Sequence, residues 1–351
     1  MIDGTNLNQL TGSRQLLRAF GGINETYSCS EAELSAALNF SGRGFPALQT
    51  RALRKKVRDV EKVNGMYHLN GLLICRGTGL EYAPDGQTGR TAAVTLENVL
   101  TDDRKALAGM GSKVLIWPDR LAFDTETGQL EPLGAKWELG DRKMTVCPCD
   151  TEGKVSGALD TGKLTGAAWC AAGSLDARYY LYLRRQGDSA GRLLVYDTER
   201  GLWHEESAVG YEMASTGRQL YLWDGRALWA ADPDRETEGE AEAALQFEAV
   251  SGDIGLTETD DKYISRITLR LDAQTHSVVT LAASYDGGPW ETLRTAAATG
   301  DHARLNLPFE PRRHDTMRLK LSGTGQIALR SMVFTLAGTT GGRVTGAGPR
   351  K

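Results

Sequence analysis

Proline, histidine and cysteine are scarce in this sequence, and it has no long apolar segment. Its 351 residues contain 10 prolines, 5 histidines and 5 cysteines. Because an odd number of cysteines does not suit a disulfide framework, we expect reduced thiols and folding in a reducing compartment. No apolar run approaches the ~20 residues of a membrane-spanning helix. The first residues, MIDGTNLNQL, lack the basic start and the apolar stretch of a secretory signal, so we expect none.

Basic charge is not in excess either. The formal net charge is −4 and the isoelectric point is near 5.9. A surface that binds phosphate groups non-specifically usually accompanies a basic balance, so composition gives no support for nucleic-acid binding. The hydrophobic fraction of 40% and the charged fraction of 25% suit a globular protein with a real core. The length predicts about two domains.

Glycine is abundant, with 41 residues, and many of them lie in a recurring pattern between residues 57 and 235. Glycine takes positive φ without strain, so an excess of it with little proline favours many short strands joined by tight turns. In each copy a strand of apolar and aromatic residues leads to a turn, a second strand and an Asp/Gly turn. Asp224-Gly225 is the clearest two-residue hairpin signal. The best copies span residues 65–86, 113–133, 179–206 and 213–234.

This pattern predicts an irregular β-propeller-like domain over residues 57–235. Propeller blades repeat at about 40–50 residues, and the copies have a comparable but uneven spacing. The third copy contains the run VYDT at residues 195–198, followed by Gly201 and Trp203, and it resembles a kelch blade.

The rest of the chain divides into four segments. Residues 1–56 are irregular and polar, which predicts an extended N-terminal arm that is ordered only against other subunits. Residues 236–246 are acidic and lack aromatics, which predicts a solvated linker. Residues 247–337 predict a C-terminal antiparallel β-sandwich that folds on its own, and residues 338–351 a flexible tail. The predicted fold class is therefore all-β.

Two local predictions accompany this division. Ser30 to Leu38 is predicted as one short helix in the arm, because Ser30 can cap it and acidic residues suit its first turn. The sandwich strands follow from runs of apolar residues between Gly-rich or polar turns. They are Tyr263–Leu271, Val278–Tyr285, Ala303–Leu307, Met317–Leu321 and Ala328–Leu336.

Several stretches together resemble β-rich virion proteins of tailed bacteriophages from Gram-positive hosts. They are SGDIGLTETDDKYISRITLRL, SYDGGPWETL and LPFEPRRHDTMRLKLSGTGQIALRSMVFTL, and near the N-terminus GGIN, Asn39-Phe40, FPAL at 45–48 and Arg51. The order of arm, irregular propeller and sandwich is similar to that of the propeller-bearing hub or nozzle proteins of short-tailed phages.

The resemblance implies a structural subunit of a bacteriophage tail, hub or neck that assembles as a multi-copy ring. Its implied partners are copies of itself and other phage tail or neck proteins, with incidental contact to packaged DNA and none to a membrane. Its implied location is the virion, after synthesis and assembly in the host bacterial cytoplasm.

Two stretches have some features of metal sites, and we predict that neither binds a metal. Cys147-Pro148-Cys149, with Cys170 or Cys29, lacks the spaced pairs typical of zinc ligands, so small core residues are the favoured interpretation. The alternating acidic residues of 232–242 resemble a calcium loop. Thr237 and Ala243 stand where that loop needs Gly and a bidentate Glu, so the linker interpretation is favoured.

Three other stretches have bland interpretations that we favour. The run SYDGGPW at 284–290 resembles an Asp-box but predicts a hairpin turn. Arg312-Arg313-His314-Asp315 predicts a salt-bridged loop or subunit contact, since adjacent strand residues point to opposite faces and cannot form an acid–base relay. The basic run from Arg51 to Arg58 could touch DNA or an acidic neighbour. Without interleaved aromatics it predicts a solvated edge strand protected by its charges.

No catalytic motif appears, so we predict a protein that is not an enzyme, with no catalytic, cofactor-binding or metal-binding residues and no cofactor. The histidines show no HxH or HExxH spacing, and there is no GxSxG or P-loop. An alternative function is a glycan-binding host-recognition module of a tail fibre, with Trp203 or Trp223 stacking on sugars. A polysaccharide-cleaving enzyme would need a carboxylate pair across a groove, which sequence alone does not identify.

Overall fold

The computed structural model describes residues 13–86, 90–134, 158–160, 163–164, 166–235, 238–255, 262–308 and 312–337. These residues form 26 β-strands, numbered β1 to β26 along the chain, and one 3-10 turn at Gly42–Gly44. The predicted all-β fold class is confirmed. In the described part of the chain, no helix has the length and apolar character needed to cross a membrane. The chain divides into two compact units, Met1–Thr50 with Gln246–Lys351, and Arg51–Leu245.

Strands from both ends of the chain form a single ten-stranded sheet in the first unit. The central strand, β22, pairs with β26 over residues 263–273 and with β25 over residues 278–285. The strands are β1 (Ser13–Leu17), β2 (Leu34–Leu38), β3 (Phe40–Ser41), β4 (Leu48–Thr50), β21 (Gln246–Ser251), β22 (Lys262–Tyr285), β23 (Glu291–Pro308), β24 (Arg313–His314), β25 (Met317–Thr324) and β26 (Ile327–Ala337).

The long β22 contributes to both layers of an antiparallel sandwich. Its register against β23 shifts between Ala273 and Ser277, and His276 between them has a φ of +67°. Alternate residues of both halves are buried, for example Leu269 and Leu281. The sequence predicted these halves as two separate strands, but they are one continuous strand with an irregular middle. A cavity of about 30 Å³ is lined by residues of β21 and β25 as well as of β4 and β26, so it marks the core between the layers.

Residues 13–50 are part of this sandwich and do not form the predicted extended arm. β1 pairs with β26 and β2 pairs with β21, so both ends of the unit's chain share one hydrogen-bond ladder. Phe20, Leu34 and Phe40 are buried, and the ring of Phe40 packs edge-on against Phe247 at a centroid distance of 5.6 Å. Burial of these apolar side chains stabilises the segment within its own chain.

The predicted helix from Ser30 to Leu38 is wrong. Leu34–Leu38 is the strand β2, and Leu34 and Ala37 are its buried residues. Glu33 does accept a hydrogen bond from the Ser30 backbone, as in a helix cap, at 2.9 Å. The turn is followed by a strand because pairing with β21 buries the apolar side chains better than a surface helix would.

The described residues of the second unit form four four-stranded antiparallel sheets. The first is β6 (Val63–His68), β7 (Gly71–Arg76), β8 (Gly79–Pro84) and β9 (Val94–Leu96). The second is β10 (Ala106–Met110), β11 (Lys113–Trp117), β12 (Leu121–Asp124) and β13 (Leu130–Pro132). The third is β14 (Ala167–Leu175), β15 (Arg178–Arg185), β16 (Arg192–Asp197) and β17 (Leu202–Glu206). The fourth is β18 (Glu212–Ser215), β19 (Leu220–Trp223), β20 (Ala227–Ala230) and β5 (Lys55–Asp59).

The four sheets are arranged as propeller blades, and each corresponds to one copy of the sequence pattern. The first strands of the sheets adjoin one another: β6 contacts β10 and β18, and β18 contacts β14. The strand β5, from the start of the unit, completes the fourth sheet as its outermost strand. The last blade is therefore built from both ends of the domain, which ties these two ends together by backbone hydrogen bonds. The irregular propeller-like domain is confirmed.

Apolar clusters fill the spaces between neighbouring blades. One lies between the first and fourth sheets, one between the first and second, and one between the third and fourth. The predicted Asp224-Gly225 hairpin is also confirmed, with Gly225 at a φ of +101°. Representative members of the three clusters are Ile74 and Leu228, Leu80 and Ile116, and Val195 and Leu222.

The segment predicted as a solvated acidic linker, 236–246, packs along β5 where the structure describes it. Lys56 donates a backbone hydrogen bond to Glu240 at 2.8 Å, and the backbone of Glu242 donates to Arg54 at 2.9 Å. Leu245 is buried. The alternating charges predict a solvated segment. The prediction misses the packing because the residues that this segment pairs with lie nearly 200 positions earlier in the chain. Residues 236 and 237, like the predicted tail at 338–351, lie outside the described residues.

These findings change the expected behaviour of the C-terminal fragment. Residues 245–340 expressed alone lack β1, β2 and β4, so we now expect no cooperative unfolding transition. A chain joining residues 13–50 to 246–340 through a short Gly/Ser linker restores those strands and should unfold cooperatively, with a β-type circular dichroism spectrum. Equal stability of the two proteins would show that the N-terminal strands do not contribute to the sandwich.

Candidate functional site

The cysteines offer no metal centre in the described part of the chain. Cys147 and Cys149 lie outside the described residues, and Cys170 is exposed with a free thiol. Burial raises the pKa of the Cys29 thiol to about 11 and that of Cys75 to about 12, so neither is a ready thiolate. No group of three or more His, Cys, Asp or Glu side chains suited to a metal ion occurs among the described residues.

The Asp-box-like run forms the turn between β22 and β23, as predicted. Asp286 has a φ of +47°, and its Oδ1 accepts hydrogen bonds from the backbones of Asp315 and Thr316 at 3.0 and 2.9 Å. The carboxylate therefore ties this hairpin to the segment that leads into β25. Its role in the fold is that of a turn residue.

The stretch from Arg312 to Asp315 makes the predicted salt bridge, but Arg313–His314 is the short strand β24, which pairs with β22, and not a loop. Arg312 pairs with Glu291 at 2.6 Å. His314 is 2% exposed, its Nδ1 lies 2.8 Å from the Arg312 carbonyl oxygen, and its ring packs on Tyr285 at 5.1 Å. These contacts fix the imidazole by its backbone and aromatic neighbours. The acid–base alternative has no support.

The basic run at 51–58 differs from its prediction, because two of its arginines are buried. Arg51 and Arg54 are 4% and 1% exposed, and they face Glu206 and Glu242. Arg54 Nη2 donates to Glu206 at 2.7 Å. Arg51 reaches both Glu242 oxygens, at 2.5 and 2.9 Å. We call these four side chains the charge clamp. The strand β5, which follows the two arginines in sequence, forms the predicted outer strand.

The clamp is electrostatically balanced, with two cations and two anions. Burial and the adjacent Arg51 lower the pKa of Arg54, and both glutamates oppose that shift. Burial alone would raise the pKa of Glu242, but the hydrogen bond from Arg51 and the charge of Arg54 hold it below its usual value. The clamp joins the points where the chain begins and ends the second unit, so its role is structural.

A second polar cluster lies where the first strands of three blades meet. It consists of Arg104, just before β10, Trp169 on β14 and Glu212, the first residue of β18. The guanidinium carbon of Arg104 is 3.9 Å from the ring centroid of Trp169, and its Nε is 3.3 Å from Glu212 Oε1. Arg104 also donates to the Cys170 carbonyl oxygen at 3.0 Å. We call Arg104, Trp169 and Glu212 the inner cluster.

Glu212 is the chemically distinctive residue of the inner cluster. Burial raises its pKa to about 7, although Arg104 acts in the opposite direction. Among the carboxyl groups of the described residues, Glu212 is the one whose pKa is raised to near neutral pH. A group with such a pKa can take up or release a proton near neutral pH.

The second blade contributes another buried ion pair, in which the two charges balance each other. Lys105 Nζ lies 2.5 Å from Asp119 Oδ2, and both side chains are almost fully buried. Although burial alone would raise it, the pKa of Asp119 is held low by its bonds to Lys105 and Thr101. A glycosidase uses two carboxyl groups that flank the scissile bond. Here one carboxyl is committed to a lysine and the other to an arginine.

His204 is a buried titratable side chain on β17. It is 4% exposed, and neither ring nitrogen has a hydrogen-bond partner among the described residues. Burial lowers its pKa to about 4. Its contribution to stability is therefore present above pH 6.5 and is lost as the pH falls towards 4.

Sequence reasoning did not find the inner cluster. Arg104, Trp169 and Glu212 stand in three different blades and share no motif. Trp203 and Trp223, which were proposed as sugar platforms, have packed roles. Trp203 stacks on a tyrosine at 4.8 Å, and the Trp223 indole donates to the Val60 carbonyl oxygen at 2.7 Å.

Comparisons with known proteins give low similarity throughout. No protein-family model and no curated protein matches the sequence. The C-terminal domain of a chitobiase from Bacteroides fragilis is 21% identical, over 28% of this chain and 68% of that chain, with a TM-score of 0.21. An exo-β-1,3-galactanase from Phanerochaete chrysosporium is 7% identical, over 75% and 74%, with a TM-score of 0.19. A family 43 arabinoxylan arabinofuranohydrolase from Bacillus subtilis is 7% identical, over 91% and 96%, with a TM-score of 0.22. Scores of this size carry no argument about substrate or activity.

The raised pKa of Glu212 predicts a specific pH dependence of stability. In the wild-type protein its contribution is fully present below pH 4.5 and is lost as the pH rises through about 7. Glu212→Gln is neutral throughout, so it should remove up to about 3 kcal/mol of the stability difference between pH 5 and pH 8. Urea unfolding at both pH values measures this.

The matched control for this experiment is Glu205→Gln, on the partly exposed face of β17. It should leave the stability difference between pH 5 and pH 8 close to that of the wild type. If Glu212→Gln behaves like the control, the carboxyl of Glu212 is ionised at both pH values and the account of its burial is incorrect.

Proposed function

We propose that the protein is a non-enzymatic structural subunit of a bacteriophage particle, in the tail, hub or neck, and that it assembles as a multi-copy ring. The observation that carries the proposal is the presence of large apolar side chains exposed on both units. Exposed aromatic and methionine side chains are enriched where proteins contact one another. They include Tyr27 and Phe45 on the first unit, and Met110, Trp117 and Tyr179 on the second.

The state of the inner cluster supports a non-enzymatic role. Arg104 lies over the face of Trp169 and pairs with Glu212, so each of these groups already has a partner within the protein. The nearby Asp119 is paired with a lysine. This arrangement stabilises the contacts between blades, and each of these two carboxyl groups has a basic partner.

The pairing of the two ends of the propeller-like domain suits a building block of a larger assembly. Because β5 completes the fourth sheet, strands from the two ends of the domain are hydrogen-bonded to each other within one blade. A propeller leaves only short strand edges, so it can associate through side chains without adding strands to a neighbour. In the proposal, copies of the chain and other phage tail or neck proteins occupy the exposed apolar sites. The protein is made and assembled in the host bacterial cytoplasm, and its final location is the virion.

Self-association of the purified chain tests this proposal. Light scattering after size-exclusion chromatography should show a discrete oligomer whose fraction rises with protein concentration. Negative-stain electron microscopy should show rings. Met110→Ser with Trp117→Ser, or Tyr27→Ser, should shift the protein towards monomer. Glu126→Ser, an exposed polar position on the second unit, is the control and should not.

A second measurement addresses the particle itself. Mass spectrometry of phage particles induced from the host strain should detect the chain in stoichiometric amounts with the portal protein. A protein that stays monomeric at all concentrations and is missing from purified particles contradicts the proposal.

A glycan-binding role is the second candidate, and one observation favours it. Trp290 is 39% exposed, and Lys320 Nζ lies 4.7 Å from its ring centroid. An exposed indole beside charged groups is a suitable surface for a sugar ring. Saturable binding on a glycan array that is lost in Trp290→Ala but kept in Trp117→Ala would favour this candidate over the structural one.

A further inference from the structure

Four arginines from separate chain segments surround one concave surface on the sandwich unit. The concavity has a volume of about 590 Å³, and Arg18, Arg270, Arg304 and Arg330 line it together with Ser331. All four arginines are exposed. The volume lies within the range of about 300–1,000 Å³ that is usual for small-ligand sites.

The strand pairing explains why these side chains converge. Arg270 on β22 is directly opposite Arg304 on β23 and, on its other side, opposite Ser331 on β26. The register against β26 shifts after Arg270, so that Arg330 is the extra residue of a bulge. Bulges often redirect a side chain at a functional site. Arg18 follows the last residue of β1, the neighbour of β26 on its other edge.

The charges of this concavity are only partly balanced by the protein. Asp272 pairs with Arg330, whose Nε lies 2.5 Å from Asp272 Oδ2. Within the described ranges no acidic group pairs with Arg18, Arg270 or Arg304. Like charges directly opposite each other on neighbouring strands are destabilising. The Arg270–Arg304 pair therefore has an unfavourable repulsion that a bound anion would relieve.

The chemistry of the lining selects the class of anion. A guanidinium group presents a planar fork of donors that matches phosphate oxygens in a bidentate geometry. Three uncompensated positive charges within one concavity match a ligand with about three negative charges. No aromatic side chain lines the concavity, so base stacking has no platform there. The phosphates of duplex DNA are spaced along an extended surface, whereas these arginines converge on one concavity, so duplex DNA is a poorer match.

From this convergence of arginines we infer a binding site for an oligophosphate group, two or more linked phosphates, either free or esterified. Arg270 and Arg304 hold one phosphate between them across the strand pair. Arg18 and Arg330 contact the next phosphate, and Asp272 positions Arg330. The inference does not depend on the proposed structural function.

Calorimetric titration of the full-length chain in metal-free buffer tests the inference. Inorganic pyrophosphate is the probe for a free ligand and a nucleoside diphosphate the probe for an esterified one. We expect saturable binding of at least one of them. Arg270→Ala with Arg304→Ala should weaken it by about tenfold or more for each arginine. Arg294→Ala, an exposed arginine of β23 outside the concavity, is the matched control and should bind like the wild type.

Two further variants keep the test decisive. Arg270→Lys with Arg304→Lys keeps the charge but removes the fork, and it should bind more weakly than the wild type. Arg18→Ala lies beyond the end of β1 and serves if the double alanine variant fails to fold. Absence of saturable binding to both probes would overturn the inference, as would binding that the arginine variants leave unchanged. Binding of a 20-base-pair duplex through the same arginines, without binding of pyrophosphate or the diphosphate, would overturn it in favour of a nucleic-acid surface.

Discussion

The buried charge clamp is the interaction on which the second unit depends. Its two arginines lie just before β5, and Glu242 lies where the chain leaves the unit, with Glu206 at the end of the third blade. Removing one member of a buried ion cluster leaves an uncompensated charge in a poorly solvated place, which costs about 3–5 kcal/mol. That is a large fraction of the stability of an ordinary domain. The clamp thus fixes both ends of a propeller that has no covalent closure in the described residues.

The blades can then be irregular, because their ends are held and the spaces between them are filled. Apolar clusters join neighbouring sheets, and β5 completes the last one. The sandwich unit follows the same strategy, since strands from residues 13–50 and from residues 246–337 share one sheet. In both units, elements distant in sequence complete the hydrogen-bond ladder. In sequence, the whole propeller-like domain is inserted between the two parts of the sandwich. Such an insertion is tolerated because the entropy cost of closing a loop rises only slowly with its length.

Sequence alone was enough to predict what is local. Hairpins such as the one at Asp224-Gly225 and the strands around them follow from turn chemistry and apolar runs, so the all-β class and the blade pattern were predictable. The pairing of distant segments was not. The sequence of residues 13–50 predicts an arm. The strands in it pair with strands more than 200 residues later, and local sequence contains no signal for that pairing.

The same limit explains the errors about charges and sites. Arg51 and Arg54 belong to a basic run that predicts a solvated strand. Their partners are Glu206, in a stretch that predicts part of a blade, and Glu242, in a stretch that predicts a linker. The inner cluster has no spacing signal, because each of its members comes from a different blade. The arginines of the concavity are likewise spread over four segments and are united only by strand register. Local sequence carries propensity and turn type, whereas these sites are set by non-local pairing.

The most direct measurement for the central claim is a double-mutant cycle on Arg54 and Glu206, by urea unfolding of the full chain. Arg54→Ala and Glu206→Ala should each cost about 3–5 kcal/mol. The double variant should cost clearly less than their sum, because the Arg51–Glu242 pair that remains is balanced in charge. The partly exposed pair Arg192–Glu205, at 2.6 Å on the third blade, is the control and should show coupling below about 1 kcal/mol. Additive losses below about 1 kcal/mol at Arg54 and Glu206 would contradict the account.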